Sequence, residues 1–392
     1  MMDYEKILNP EVIGLKPSGI RKFFDIAEKM DDVISLGVGE PDFQTPWQIR
    51  KTGIHSLEES HTRYTSNQGL QKLRDTISGY VKRKYNIKYC SDEQIVITVG
   101  GSEAIDLAVR AIVSAGDEVI IPQPSYVCYE PITRLAGGIP VIIETKAQDK
   151  FKLTPEALLD KITDKTKALI LPYPSNPTGA VMEREDLEKI AEVLKNRNII
   201  VISDEIYSEL TFGSRHVSIA SIEGMYDKTI VINEFSKAFS MTGWRLGYAC
   251  GPREIIKQMI KIHQYAIMCA PTTSQYAAIT AMTECDDVVN DMIEEYDTRR
   301  RLIVDGFNKL GLTCHDPRGA FYAFPSIEIS GMTSEQFCEE LLYKKKVAIV
   351  PGTAFGKSGE GFVRASYCYS SEHIQEALKR IGEFLDEINK RG

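Results

Sequence analysis

Between Ile95 and Cys250 the chain repeats one unit, a short apolar run followed by a stretch with helical spacing. The runs are IVITV (95–99), EVIIP (118–122), IPVII (139–143), ALILPYP (168–174), IIVISD (199–204), TIVIN (229–233) and LGYAC (246–250). They are short, rich in Val and Ile, and show no polar alternation, as expected of strands covered on both faces. Helical runs intervene, for instance Glu103–Val113 and Asp186–Lys195. This alternation implies an α/β fold with a mainly parallel, doubly wound sheet of seven strands flanked by helices. In such sheets ligands bind just beyond the carboxyl ends of the strands. The chemistry of this chain is therefore sought in the residues that follow each apolar run.

The pattern changes towards both ends. Ile20 to Phe24 form a short helical pattern, and Leu70, Leu73, Ile77, Tyr80 and Val81 keep helical spacing. One helix is expected over Ile255–Ala270 and a long one from about Asp286 through Leu310. After these come GAFYAFPSI, a helix near Phe337–Lys344, VAIVPGTAF, FVRASY and a terminal helix. That mixture reads as a smaller α+β domain. A chain of 392 residues, 43% of them hydrophobic, suffices for two or three domains. The expected division is a large domain over 46–285 and a small domain made of 1–45 with 286–392.

Composition removes several function classes. The formal net charge is −8, against the basic face that non-specific nucleic-acid binding needs. No apolar run approaches the ~20 residues of a transmembrane helix, and MMDYEKILNPEV lacks the apolar core of a secretory signal. Eight cysteines are scattered with no C-x-x-C pair, which fits reduced thiols in a cytoplasmic protein and neither a disulfide framework nor a metal site. Gly37 and Gly39 make a G-x-G, but no third glycine follows and EPDF reads as a turn, so a dinucleotide fingerprint is rejected.

The strand ends carry a coherent set of groups. Lys237 follows TIVIN, with Ser236 before it and Arg245 after a small, flexible Ser-Met-Thr-Gly run. A lysine can form a Schiff base with an aldehyde, and a hydroxyl with a guanidinium can hold a phosphate. An aldehyde plus a phosphate describes pyridoxal 5'-phosphate, although a lone lysine is ordinarily a solvated surface residue. Gly101-Ser102-Glu103 opens a helix, where backbone N–H groups and the helix dipole favour a phosphate; many strand–helix turns look alike. Tyr126 could stack on a heterocycle or pack in the core. Asn176, between prolines in LPYPSNPTG, has a stiff position from which its amide could bind a phenolic oxygen, or it is simply part of a turn. Asp204 could pair with a protonated pyridine nitrogen and Tyr207 could donate to a ring oxygen, while helix capping by Asp204 is the plainer alternative. Arg364, in GFVRASY, has the planar fork that binds a carboxylate, and a structural ion pair is its ordinary role. Gly39 permits close backbone approach to a ligand.

These stretches together resemble a known family. EPDF, YTSNQG, SNPTG, SDEIY, SKAFSMTGWR and FVRASY occur in the order found in class I aminotransferases of fold type I, the aspartate and aromatic aminotransferase group. The resemblance covers nearly the whole chain and implies a large pyridoxal-phosphate domain with a smaller α+β domain. It implies that Lys237 carries the cofactor, that Ser236 and Arg245 bind its phosphate, and that Gly101, Ser102, Glu103 and Tyr126 complete the cofactor site. It places Asn176 on the ring's 3-oxygen, Asp204 on its nitrogen and Tyr207 on its oxygen. Gly39 and Arg364 would hold the substrate carboxylate, with Asn176 assisting. Tyr64 would reach the cofactor phosphate of a neighbouring subunit, which implies a homodimer with shared sites. One departure is Glu234, where relatives usually carry a small residue; it bears on the local backbone and not on the lysine.

The implied activity is transfer of an amino group from an L-amino acid, with glutamate as donor, to a 2-oxo acid. A C–S β-lyase of the same fold uses the same lysine, aspartate and arginine and is the alternative; a ligand-sensing regulator would need an appended DNA-binding domain that ~30 N-terminal residues cannot supply. PSGIRKF, LPYPSNPTG and SDEIYSEL resemble the branch with N-acetyl-diaminopimelate and aromatic aminotransferases, which also holds aspartate-preferring enzymes. Arg21 and Arg110 are the candidates for a cation facing a distal carboxylate. The apolar flap of Ile20, Phe23 and Phe24 would instead favour a bulky side chain.

Overall fold

The computed structural model describes residues 2–17, 19 and 30–390. Strands are numbered in chain order. The first, β1 (Ile34–Ser35), precedes a seven-stranded sheet made of β2 (Ile95–Thr98), β3 (Glu118–Gln123), β4 (Ile139–Glu144), β5 (Thr166–Leu171), β6 (Ile200–Asp204), β7 (Thr229–Glu234) and β8 (Gly247–Cys250). The order across the sheet is β2-β8-β7-β6-β5-β3-β4. Every expected run forms a strand of this sheet. Residues of β2, β5, β6, β7 and β8 are almost all buried, because helices such as Gly101–Ile112 and Arg253–Ala266 cover the sheet. Burial on both faces accounts for the continuous apolar runs.

One strand departs from the parallel pattern. β8 runs antiparallel to both neighbours, β2 and β7. No helix crosses between β7 and β8. The connecting segment folds back past Lys237 through the short turn Thr242–Trp244, so the chain re-enters the sheet at the end it left.

The helices begin and end near their expected limits, with one correction. The helix expected over Ile255–Ala270 ends at Ala266, and a second helix, Thr272–Glu284, follows. Pro271 separates them; the residue before a proline is pushed towards extended conformations, which ends a helix there. The long helix is Asp286–Lys309, and the later ones are Ser334–Lys345 and Ser371–Asn389. The short pattern Ile20–Phe24 and Arg21 lie outside the described residues.

The C-terminal part supplies a three-stranded antiparallel sheet in the order β11-β12-β9, from β9 (Tyr322–Ala323), β11 (Val350–Pro351) and β12 (Val363–Ser366). β10 (Val347–Ala348) pairs in parallel with β1. Through that pair the segment ending at Gly39 is tied to the C-terminal third: Ile34 N–H donates to Lys346 O (2.8 Å) and Leu36 N–H to Ala348 O (2.8 Å).

Candidate active site

The carboxyl ends of β2, β3, β5, β6 and β7 open on one cavity of about 1150 Å³. Its wall includes Gly39, Gly101, Ser102, Tyr126, Asn176, Asp204, Tyr207, Lys237 and Arg364. Residues from seven separate stretches of sequence thus meet where the sheet topology places a ligand.

Lys237 follows β7 directly, and its Nζ donates to Gly39 O at 3.2 Å. Gly39 itself must be a glycine, since a Cβ there would collide with the Tyr322 hydroxyl. Ser236 is buried, and its Oγ has no hydrogen-bond partner among the described residues. Arg245 is in the left-handed region (φ 52°) and lies against the turn at Gly100, where a Cβ would stand 2.7 Å from its Nη2. Gly100 has φ 80° and opens the helix Gly101–Ile112. A guanidinium and a helix N-terminus therefore meet at one turn, and the strand-end segment that carries Lys237 adds an orphaned buried hydroxyl. Those are the groups that hold a phosphate.

Asp204, at the end of β6, is fully buried. Its carboxylate accepts from the Tyr129 hydroxyl at 2.7 Å and from the Ile206 amide at 3.3 Å. Burial pushes its pKa up to about 6, and these two hydrogen bonds oppose the rise. Tyr207 hydroxyl is 2.9 Å from that of Tyr322, and burial raises its pKa well above the usual phenol range. Burial likewise pushes Tyr126 up to about 12, against a hydrogen bond from Ser102. Both phenols are thus neutral donors at working pH.

The raised Asp204 pKa has a sign that can be measured. The folded value of about 6 exceeds the ordinary 3.8, so the folded state holds the proton more tightly and stability falls as pH rises between these values. For the protein freed of ligand, Asp204→Asn should remove that slope. The stability difference between variant and wild type, from urea unfolding at pH 4 and pH 7, should move in favour of the variant by up to ~3 kcal/mol. An unchanged difference would show that the carboxyl is not held protonated by burial.

Arg364, on β12, is buried. Its Nη1 donates to Asn176 Oδ1 at 2.8 Å and its Nη2 to Gly37 O. The guanidinium lies over Tyr322 (4.4 Å to the ring centre) and Phe355 (4.7 Å), and its Nε has no partner among the described residues. Among the described residues no carboxylate pairs with it, so a buried positive charge faces a cavity with an unused donor. Such a charge calls for an anionic ligand.

Four of the expected residues stand apart from this lining. The Glu103 side chain turns away: its carboxylate takes the His263 Nδ1 at 2.8 Å and the Val99 amide, leaving only its backbone at the turn. Tyr64 is 80% exposed on the surface, outside the cavity. Arg245 lies at the edge of the turn, on the exposed side. Arg110 pairs with Asp106 one helical turn away and does not reach the cavity. Sequence reasoning missed Tyr322, Tyr129, Glu40 and the cavity-facing position of Glu234. Tyr129 lies three residues after Tyr126 at the start of the helix Tyr129–Leu135, and that proximity was its only signal.

A half-buried lysine, a buried carboxylate and a buried arginine with an unused donor on one cavity define an α/β enzyme that acts on small anionic substrates. Comparison with known proteins agrees. A model of the family "Aminotransferase class I and II" matches residues 31–381. The chain is 52% identical over 378 residues to a putative aminotransferase, YugH, of Bacillus subtilis, covering 96% of this chain and 98% of the relative. It is 45% identical over 381 residues to a probable N-acetyl-LL-diaminopimelate aminotransferase of the same organism, covering 97% and 96%. The crystal structure of the aromatic aminotransferase from Pyrococcus horikoshii superposes with a TM-score of 0.90 at 43% identity, covering 93% of this chain and 99% of that one. The chain belongs to the class I and II aminotransferases and is an enzyme of that family with the fold type I architecture. Among the described residues no helix is long and apolar enough to cross a membrane.

Proposed function

We propose that this aminotransferase binds pyridoxal 5'-phosphate in the cavity at the sheet's carboxyl edge and exchanges amino groups between L-amino acids and 2-oxo acids. The observation that carries the reading is the placement of Lys237, Asp204 and Arg364 on one cavity. The site also fits the cofactor group by group: the unpartnered Ser236 Oγ and Arg245 beside Gly100 suit a phosphate, and Asp204 suits a protonated ring nitrogen. When bound, the cofactor supplies an aldehyde for covalent attachment and a ring that withdraws electrons from the substrate's α-carbon.

The chain's own groups then divide the work. Arg364 and Asn176 hold the α-carboxylate and fix the α-carbon near Lys237. Lys237 Nζ would take the proton from the substrate's α-carbon as general base and give it back as general acid. Asp204 keeps a proton on the ring nitrogen. Tyr207 and Asn176 are the groups that would hold the cofactor's phenolic oxygen, and Tyr126 would pack against its ring. A second oxo acid runs the same steps backwards.

The proposed assembly is a homodimer in the cytoplasm in which Tyr64 serves the partner's site. Support comes from exposed apolar side chains: Trp47, Ile54 and Leu57 on one face of a helix, and Tyr265, Ile267 and Met268. The Tyr64 loop is fastened to the same region, with Asn67 Nδ2 donating to Met268 O at 2.9 Å and Gln275 Nε2 to Thr65 Oγ1 at 3.1 Å. A soluble monomer would leave this apolar surface in water.

For substrate, we propose glutamate as the common donor and an aromatic or long N-acylated amino acid as the partner. Among the described residues the cavity wall has two basic side chains, Lys237 and Arg364, both already assigned, while Asp31, Asp32 and Glu40 also line it. A second buried carboxylate left unpaired would cost several kcal/mol. The test is the half-reaction: each amino acid is added singly to the yellow enzyme and the loss of pyridoxal absorbance is followed. Aromatic and N-acylated amino acids should bleach it at least as efficiently as glutamate. Bleaching by aspartate and glutamate alone would require a dedicated distal cation, and ammonia release without bleaching would establish a lyase.

A further inference from the structure

Glu234 has no task in the reaction above, yet it is buried at the end of β7 and lines the cavity. Its Oε2 accepts the Gly101 amide at 2.9 Å, the first amide of the helix that opens at the glycine turn. Its Oε1 stands 4.0 Å from Lys237 Nζ. One carboxylate therefore reaches both places the cofactor has to engage. The contact depends on β8 lying between β2 and β7. Gly247 of β8 has no side chain, and a Cβ there would stand 2.6 Å from the Gly100 carbonyl carbon. The turn can thus approach β7 closely enough for Glu234 to reach it.

A plain ion pair with Lys237 does not explain the arrangement. A separation of 4.0 Å is at the limit for a salt bridge, while the bond to Gly101 is short and buried. A carboxylate at a helix N-terminus is favoured for the same reason as a phosphate: aligned amides and the positive end of the helix dipole. Two anions on one amide repel strongly where water is scarce, and Asp204 adds negative charge nearby.

We propose that Glu234 is an internal anion that competes with the cofactor's phosphate for the Gly101 amide and so sets how tightly the phosphorylated cofactor is held. The proposal rests on the cofactor reading above. Loading requires the carboxylate to leave Gly101, and the same movement frees Lys237 from its nearest negative charge. Glu234 is a positioning residue, since it acts through the amide and the lysine.

The test uses the full-length protein after removal of bound aldehyde with hydroxylamine and dialysis. Wild type, Glu234→Gln and Glu234→Gly are titrated with pyridoxal 5'-phosphate and, separately, with pyridoxal, following the absorbance of the bound aldehyde. The preference for the phosphorylated over the unphosphorylated form, as a ratio of dissociation constants, should rise at least ~10-fold in both variants. Inorganic phosphate alone should raise the melting temperature of Glu234→Gln more than that of wild type. Glutamine keeps the size and removes the charge, so a folding defect in the glycine variant cannot decide the outcome. An unchanged or smaller ratio in Glu234→Gln overturns the proposal. If wild type binds neither aldehyde, the cofactor reading itself falls, which is a separate and recognisable result.

Discussion

Replacing Lys237 by alanine is expected to lower transamination by ~10⁴-fold, the upper end of what is lost when a positioned general base is removed. The protein should still take up pyridoxal 5'-phosphate, because the turn at Gly100 and Gly101, Ser236, Arg245 and Asp204 are all untouched. Borohydride should then fail to fix the cofactor to the chain, whereas in wild type it should do so at one lysine. Lys237 is 16% exposed at its side chain and lies among Gly39 O and Glu234, so no other amine of the described cavity can take its place. The same variant tests the shared site. Mixed with an inactive Tyr64 variant under conditions that allow subunits to exchange, it should recover part of the activity, because one hybrid site carries neither defect. Steady-state activity in purified Lys237→Ala protein would remove the lysine from the mechanism; a fully active monomer in sedimentation would remove Tyr64 from it.

Arg364→Ala is expected to lower kcat/KM by roughly 10²–10⁴-fold, the equivalent of the 3–5 kcal/mol lost when a buried charge loses its partner. The arginine is held by Asn176 Oδ1 and Gly37 O and sandwiched between Tyr322 and Phe355, so its fork is fixed before substrate arrives. Lysine at this position keeps the charge but not the fork, and should recover only part of the loss. The informative comparison is between donors. If Arg364 reads the α-carboxylate common to all of them, glutamate and an aromatic amino acid lose the same factor. A loss confined to glutamate would assign the arginine to a distal carboxylate instead.

The strands were legible because burial on both faces leaves each one an unbroken apolar run, and the ligand edge follows from parallel strands joined by helices. Lys237, Asp204, Asn176 and the Gly101 turn could be found because each stands directly after such a run. The direction of β8 was not legible: LGYAC is equally apolar in either direction, and what decides is the path of the segment after Lys237. Tyr322 escaped for a different reason. It sits on β9, in another sheet, and reaches the cavity only through tertiary packing against Tyr207 and Arg364. Glu103 shows the converse limit, since a spacing that suits a phosphate turn does not say where the side chain points; here His263, 160 positions later, captures it.

The anchoring of the segment around Gly37 has a consequence for how the chain is made. Its hydrogen bonds run to Lys346, Ala348, Arg364 and Ser366, and the Arg364–Gly37 contact spans 327 positions. On a ribosome adding ~5–20 residues per second, that segment waits on the order of half a minute for its partners. Throughout this interval Ile34 and Leu36 have neither their β10 neighbours nor their apolar cover, although the central sheet can already be complete. The wall that carries Gly39 is therefore among the last parts of the site to be assembled, and it closes only when the C-terminal strands have emerged.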